Sequence, residues 1–178
     1  MITVNKLRIE NDNLIIDVEI DTSLCEISDP CTIDHIDIYN QDNYNSSTPS
    51  LSIPVAATEY SDTIPLNTSA YNLKSTDFIL VKVCWDGTPT SDCPCGQDES
   101  PENFAVYDMG LIYQKGIQYM RGLTNCCADK NNAINFILTQ KYFDLCLVNG
   151  ALVEAIDLWN KMMNNTSTPA TNNCGCHA

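Results

Sequence analysis

The chain has 178 residues, 44% of them hydrophobic, which fits a single folded domain or a domain with a helical appendage and argues against global disorder. Twenty-three acidic residues against nine basic ones give a formal net charge of −14. Binding to nucleic acid or to anionic membranes relies on clustered Lys and Arg, so neither is expected of this chain. An acidic surface keeps a protein soluble, and it would also line a conduit that DNA passes without sticking.

The first predicted element is a β-hairpin. Ile16, Val18 and Ile20 alternate with acidic residues in LIIDVEID, and this period of two predicts a strand with one buried face. The preceding stretch ITVNKLRIE alternates more loosely. Asn and Asp at positions 11–13 tolerate the left-handed backbone of a tight turn, so the two strands are expected to pair.

Further strands follow along the first half of the chain. IDHIDIYN repeats the alternation, and DFILVKVCWD is apolar on nearly both faces, which is typical of a central strand. Weaker strand patterns around Pro54 and Pro65 are expected at sheet edges, because proline cannot donate to a strand ladder. Several short strands separated by turns predict a small antiparallel β-sandwich.

A Cys-rich loop ends the β-rich region, which we predict to span residues 1–99. Residues 86–99 contain two Pro, two Gly and no aliphatic side chain, a composition typical of an exposed loop. A helical region is predicted for residues 100–163, and a flexible polar tail for residues 164–178. Strands in the first part and helices in the second predict the α+β class.

Three helices are predicted in the helical region. The first begins with Ser100 as its N-cap and Pro101 at its first helical position. The second runs from about residue 129 to residue 148 and ends at Asn149 and Gly150, because glycine commonly adopts the left-handed backbone that terminates a helix.

The third predicted helix is ALVEAIDLWNKMM. Its apolar face contains Leu152, Ile156 and Trp159. Trp159 lies near Met162 and Met163 at the end of the helix, and these side chains could form a docking face for a partner. We expect them instead to pack onto the second helix, since an amphipathic helix normally buries its apolar face within its own domain.

The ten cysteines are expected to be thiols. The N-terminal sequence lacks the charged segment and unbroken apolar stretch of a secretory signal, so we expect the protein to stay in the cytoplasm where it is made and where thiols stay reduced. Cys84 and Cys146 lie within apolar patterns and are interpreted as small core residues.

Two Cys-x-Cys pairs are candidate metal ligands. Cys93 and Cys95 lie in the loop, and Cys174 and Cys176 lie in the tail. Structural zinc sites usually space paired cysteines by two to four residues, so this spacing does not specify a site. We therefore predict no metal or other cofactor and interpret the tail as a terminus that orders on contact with a neighbouring subunit.

The sequence contains little that catalysis would use. Its two histidines are His35, within a strand pattern, and His177, next to the end of the tail. It lacks a nucleophile-elbow motif, a P-loop, a dinucleotide fingerprint and a zinc-protease motif. Its carboxylates alternate with aliphatic residues along strands, which places them on a solvent-exposed face. This pattern does not indicate a pair of carboxylates that act as general acid and base. We therefore predict that the protein is not an enzyme.

The order of these elements resembles the small virion proteins of crAss-like tailed bacteriophages. The likeness covers most of residues 1–163: the hairpin MITVNKLRIENDNLIIDVEID, the strand FILVKVCWDG, the Cys-rich loop, then GIQYMRGL and ALVEAIDLWNKMM. The resemblance implies a structural virion protein in the neck or tail, which is made in the cytoplasm of a bacterial host and released within a particle. It implies a homo-oligomeric ring of twelve copies in the head-to-tail connector, which contacts the portal and neighbouring tail or ring proteins and leaves a channel for DNA.

Two alternatives remain open. A β-sandwich could be a non-catalytic binding module for a carbohydrate or a peptide, with Tyr39, Tyr44 and Tyr60 as an exposed aromatic platform. The chain could instead be a small zinc-stapled structural protein, which predicts stoichiometric zinc and loss of stability with a chelator. Native mass separates a ring from a monomeric or dimeric module.

Overall fold

The computed structural model describes residues 2–20, 32–86, 102–123, 130–131, 133–134 and 149–164. The chain divides into a β-rich unit, residues 1–107, and a helical unit, residues 108–178. Seven strands lie in the described part of the first unit: β1 (Ile2–Glu10), β2 (Asn13–Ile20), β3 (Thr32–Asn40), β4 (Leu51–Ala57), β5 (Glu59–Pro65), β6 (Ile79–Asp86) and β7 (Glu102–Val106). The described part of the second unit contains helices α1 (Met109–Gly122) and α2 (Asn149–Met163), so the α+β class is confirmed.

The strands form two antiparallel sheets. One sheet has the order β1-β2-β5 and the other the order β4-β3-β6-β7. Strands β2 and β5 contact β3, and β1 contacts β7, where the Ile2 backbone N–H donates to Glu102 Oε1 at 3.1 Å. The aliphatic residues buried between the sheets include Leu14, Ile16, Ile36 and Val81. Each such side chain contributes about 1.5–3 kcal/mol when it is fully buried, so this apolar layer is the main source of stability for the unit.

The β1–β2 hairpin is confirmed. Glu10 pairs with Asn13, and the two-residue turn between them has positive φ angles at Asn11 (51°) and Asp12 (59°). Two left-handed residues make a turn whose twist matches that of the flanking strands, which explains why Asn and Asp occupy it. The Asp12 carboxylate also accepts hydrogen bonds from Asn67 Nδ2 at 2.9 Å and from Ser75 Oγ at 2.6 Å, so the turn is tied to the loop that precedes β6.

Replacing Asn11 with valine is expected to destabilise the protein by about 1–2 kcal/mol, because a β-branched residue fits the left-handed region poorly. Asn11 is exposed, so no core packing is lost. Replacement of Asn11 with glycine is the matched control and should leave the free energy of unfolding nearly unchanged. Urea denaturation of both variants measures the difference, and equal stability of the two would contradict the role assigned to the turn.

The predicted central and edge positions are also confirmed. β6 lies between β3 and β7, and its Ile79, Leu80 and Val81 are fully buried. β4, which contains Pro54, and β5, which ends at Pro65, each lie at the edge of a sheet. A strand that is apolar on both faces needs neighbours on both sides, whereas a proline-containing strand can leave one side unpaired.

A loop between β5 and β6 is anchored by buried polar side chains. Asn40 and Asp77 are 2% and 6% exposed, which is rare for such residues unless their hydrogen bonds are satisfied. Asn40 Nδ2 donates to the Asn72 carbonyl at 2.8 Å. Gln41 Nε2 donates to Asp77 Oδ1 at 3.1 Å, and Gln41 Oε1 accepts from the Phe78 backbone N–H at 2.9 Å. These contacts align the entry into β6 with the end of β3.

The predicted start of the first helix at Ser100 was wrong. Residues 102–106 form β7, which pairs antiparallel with β6, and α1 begins only at Met109. The Asp108 side chain caps α1 by accepting from the Leu111 backbone N–H at 2.9 Å. The short apolar run from Phe104 to Val106 is compatible with a helix or a strand. It forms a strand because it pairs with the edge of β6 that lies opposite β3.

The helical region is described in part. The second predicted helix, from about residue 129 to residue 148, lies almost wholly outside the described residues, so a three-helix region is not established. The predicted role of Asn149 and Gly150 as a helix terminator was wrong, since both residues lie within α2. No described glycine has a positive φ, so Gly150 does not provide a left-handed terminator. The loop after Asp86 and the tail after Asn164 also lie outside the described residues.

Candidate functional site

The predicted metal candidates lie outside the described residues. Cys93, Cys95, Cys174 and Cys176 all fall in segments that the structure does not describe, so a zinc site formed by them stays a prediction. The same holds for His177. The remaining histidine, His35, lies in β3, as the sequence pattern predicted.

His35 belongs to a cluster of polar side chains on the four-stranded sheet. Ile36 and Ile38 of β3 are fully buried, so the alternate residues His35 and Asp37 lie on the opposite face of the strand. Cys84 of β6 is the direct partner of His35 in the ladder. The backbone thus brings an imidazole, a carboxylate and a thiol together on two central strands.

The three side chains are close enough to share one bound ion. One ligand atom from each of His35, Asp37 and Cys84 can be chosen so that all lie within 4.8 Å of one another. His35 Nδ1 lies 2.6 Å from Asp34 Oδ2, and its Nε2 lies 3.6 Å from Asp37 Oδ2. The imidazole therefore has one nitrogen bonded to an exposed carboxylate and the other directed towards the centre of the cluster.

Asp37 is the most buried carboxylate of this cluster. Its side chain is 15% exposed, against 58% for Asp34. Asp37 Oδ2 accepts a hydrogen bond from the Tyr39 hydroxyl at 3.4 Å, whereas its buried Oδ1 has no hydrogen-bond partner in the described part of the chain. Burial and then the charge of Asp37 raise the pKa of the Tyr39 hydroxyl, and Lys82 Nζ lies 4.2 Å from the centre of the Tyr39 ring.

Cys84 is a half-buried thiol rather than the core residue predicted from its apolar surroundings. Burial, followed by the negative charge of Asp37, raises the pKa of its thiol to about 11, although nearby Lys82 acts in the opposite direction. A thiol with this pKa is protonated at neutral pH. Because the thiolate is the reactive form, Cys84 is a poor nucleophile in the metal-free protein.

A sequence model of the Crassvirus tail hub protein A family matches residues 2–177. The chain belongs to this family. The resemblance to virion proteins of crAss-like bacteriophages is therefore confirmed, since the matching family is one of phage tail hub proteins. The family match also extends over the segments that the structure does not describe, including the Cys-rich loop and most of the tail.

A curated relative within the tail hub protein A family supports the same conclusion. The tail hub protein A of Bacteroides phage crAss001 is 35% identical to this chain over 102 residues. The aligned region covers 56% of this chain and 46% of the relative, so the chain matches less than half of the relative's length. No helix in the described residues is long and apolar enough to cross a membrane.

The aromatic platform considered for a sugar- or peptide-binding module does not form. Tyr39 is only 4% exposed and lies in β3, whereas Tyr60 lies in β5 of the other sheet. The Tyr60 hydroxyl donates to Asp62 on its own strand at 3.0 Å. Tyr44, the third residue of the predicted platform, is half-buried in the turn that follows β3. Because Tyr39 is buried and Tyr60 lies on the other sheet, the three side chains do not offer a common exposed stacking surface.

The helical unit of this tail hub family member does expose apolar side chains. Met109 and Tyr113 lie one turn apart on α1 and are 51% and 60% exposed. Trp159 and Met162 of α2 are buried, so they do not form an exposed docking face. Their predicted packing onto the second helix stays a prediction, because most of that helix lies outside the described residues. α1 and α2 contact each other within the unit.

The sequence pattern did not predict the His35, Asp37 and Cys84 cluster. His35 and Asp37 are two positions apart in a strand pattern, which already places them on one face. Cys84 stands on the less apolar face of DFILVKVCWD, next to Lys82. The missing information was the antiparallel register that sets Cys84 opposite His35, and no local pattern specifies that register.

Proposed function

We propose that the chain is a ring-forming component of the connection between phage head and tail. Twelve copies form a closed ring, which contacts the portal and adjacent tail or ring proteins and leaves a channel for DNA. The match of the tail hub protein A family to residues 2–177 is the observation that carries this proposal. The role is structural, without catalysis, and the virion is the place where the protein acts.

The charge of the chain supports passage of DNA rather than binding to it. The formal net charge is −14, and the ion pairs Arg8–Glu10 and Asp157–Lys161 are exposed. A surface of this sign repels phosphate, so a ring lined by it lets DNA move without attachment. We therefore expect no sequence-specific nucleic-acid binding and no membrane binding by the ring.

A closed ring needs two different surfaces on each subunit, because neighbouring copies meet head to tail. The outer edge of β5 offers backbone groups, and no described strand pairs with that edge. β4 is also an edge strand, but it contains Pro54 and a left-handed Ala56 with φ of 53°. Both interrupt its outer edge and make β4 a poorer surface for strand pairing than β5. Met109 and Tyr113 on α1 offer a separate apolar surface.

Native mass spectrometry of the purified full chain, alone and mixed with the portal complex, tests the ring. We expect a closed species of twelve 19.8 kDa chains, either alone or assembled on the portal. The substitution Tyr113→Glu should shift the population towards monomers. Gln114→Glu adds the same charge at the next exposed position of α1 and is the matched control. Monomers or dimers under all conditions would overturn the proposed ring. If the two variants behaved alike, Tyr113 would not contribute to the contacts between subunits.

A further inference from the structure

The His35, Asp37 and Cys84 cluster has the composition of a transition-metal site. Imidazole nitrogen, thiolate sulfur and carboxylate oxygen are the three ligand types that proteins use for zinc. Two of the three are not acidic side chains, which distinguishes the cluster from the groups of exposed carboxylates that are common on protein surfaces. All three residues lie on paired central strands, and strands hold a site more precisely than loops do.

We propose that His35 Nε2, a carboxylate oxygen of Asp37 and the Sγ atom of Cys84 bind one zinc ion. Cys84 is protonated in the free protein and releases its thiol proton to solvent when the ion binds. A neutral imidazole, a carboxylate and the resulting thiolate together carry two negative charges, which one Zn²⁺ balances. The ion links β3 to β6 across the ladder. Three protein ligands leave the fourth tetrahedral position for a water molecule.

The orientation of the His35 imidazole favours metal binding through Nε2. With its Nδ1 proton donated to Asp34 Oδ2 at 2.6 Å, Nε2 presents a lone pair towards Asp37. Metal-binding histidines usually donate their second ring nitrogen to a carboxylate, which fixes the tautomer and the plane of the ring. Asp34 is placed to do this without being a ligand itself.

Asp37 supplies a second, independent observation. Its buried Oδ1 has no hydrogen-bond partner among the described residues. A buried carboxylate oxygen without a partner is costly, and coordination of a cation removes that cost. Asp37 Oδ2 accepts from the Tyr39 hydroxyl at 3.4 Å and lies 3.6 Å from His35 Nε2, so the ion satisfies Oδ1 when the carboxylate binds it through both oxygens.

The distances require only a small adjustment of side chains. The three ligand atoms lie within 4.8 Å of one another, whereas ligands on a tetrahedral zinc ion are about 3.5 Å apart. Coordination therefore requires the Cys84 and His35 side chains to rotate towards Asp37. Lys82, the nearby cation, lies over the Tyr39 ring at 4.2 Å from its centre, where the aromatic face accommodates its charge.

The competing interpretation is an ion-pair cluster without metal, in which a protonated His35 bridges Asp34 and Asp37. The two interpretations differ in zinc stoichiometry. The test uses the full chain, kept reduced and stripped of metal with a chelator, then titrated with Zn²⁺ by calorimetry and native mass spectrometry. Substitution of Cys93, Cys95, Cys174 and Cys176 by serine provides a background in which zinc bound by the two Cys-x-Cys pairs is removed.

In that background we expect one zinc ion per chain. Cys84→Ser and His35→Ala should each weaken its binding by at least about 100-fold, and Asp34→Asn by about tenfold, in the range known for residues that orient a metal ligand. Asp37→Asn should also weaken binding. Asp62→Asn is the matched control, because Asp62 likewise accepts a tyrosine hydroxyl from its own strand, and it should leave zinc binding unchanged.

Cobalt(II) gives a readout that does not depend on stability. Cobalt bound in the background chain should show a thiolate-to-metal absorption band, and Cys84→Ser should abolish it. Circular dichroism confirms that each variant is folded. Absence of zinc binding in the background chain, or unchanged binding in folded Cys84→Ser and His35→Ala variants, would overturn the site and favour the ion-pair cluster.

Discussion

Replacing Phe78 with alanine is expected to destabilise the β-rich unit by about 3–5 kcal/mol. Phe78 is 1% exposed, and its ring stacks on Tyr107 with centroids 5.4 Å apart. Truncation removes a large apolar side chain from water-free surroundings and leaves a cavity that the surrounding strands fill only in part. A loss of this size is a large fraction of the stability of a typical domain.

Urea denaturation combined with hydrogen exchange measures this effect and assigns it to a unit. Peptides from β3 and β6 should exchange faster in Phe78→Ala, because these strands unfold together with the core they bury. Phe78→Leu retains most of the apolar volume and is expected to lose only about 1 kcal/mol. If the alanine variant were no less stable than the leucine variant, Phe78 would not be a core residue.

Met162→Ala is expected to destabilise the helical unit by about 2–5 kcal/mol. Met162 is fully buried near the end of α2, where it contributes apolar burial and many small packing contacts. Because methionine and alanine both favour helix, the change acts through packing and not through helix propensity.

Met109→Ala is the matched control for Met162→Ala. Met109 is also a helical methionine of the same unit, but it is 51% exposed at the start of α1. Its replacement should change the free energy of unfolding by less than about 0.5 kcal/mol. Thermal denaturation followed by circular dichroism compares the two variants. Similar melting temperatures for both would show that α2 does not depend on its buried face.

These experiments distinguish variants that lose stability from variants that lose only the contacts between subunits. Phe78 and Met162 are buried, so their loss affects folding before it affects any contact between subunits. Tyr113 is exposed, so its substitution by glutamate should leave the isolated chain folded while weakening the ring. A variant that fails to form rings because it unfolds can therefore be told from one that lacks only an interface.

Several features of the fold followed from the sequence alone. Alternation in LIIDVEID specified a half-buried strand, and Asn11 with Asp12 specified the turn before it, because few residues accept a positive φ. Pro54 and Pro65 predicted edge positions for β4 and β5, because proline lacks the backbone N–H that donates to a neighbouring strand. The order of these elements along the chain also indicated the phage family that the comparison confirmed.

Other features required the tertiary structure. The apolar run from Phe104 to Val106 is too short for its periodicity to distinguish a strand from a helix. It becomes part of strand β7 because it pairs with β6. Tyr39 follows a strand pattern that did not predict its burial. The register of β3 against β6 sets Cys84 opposite His35, two residues far apart in the chain. Local preferences act over a few residues, whereas strand register depends on how the whole apolar layer packs, so only the folded chain determines that cluster.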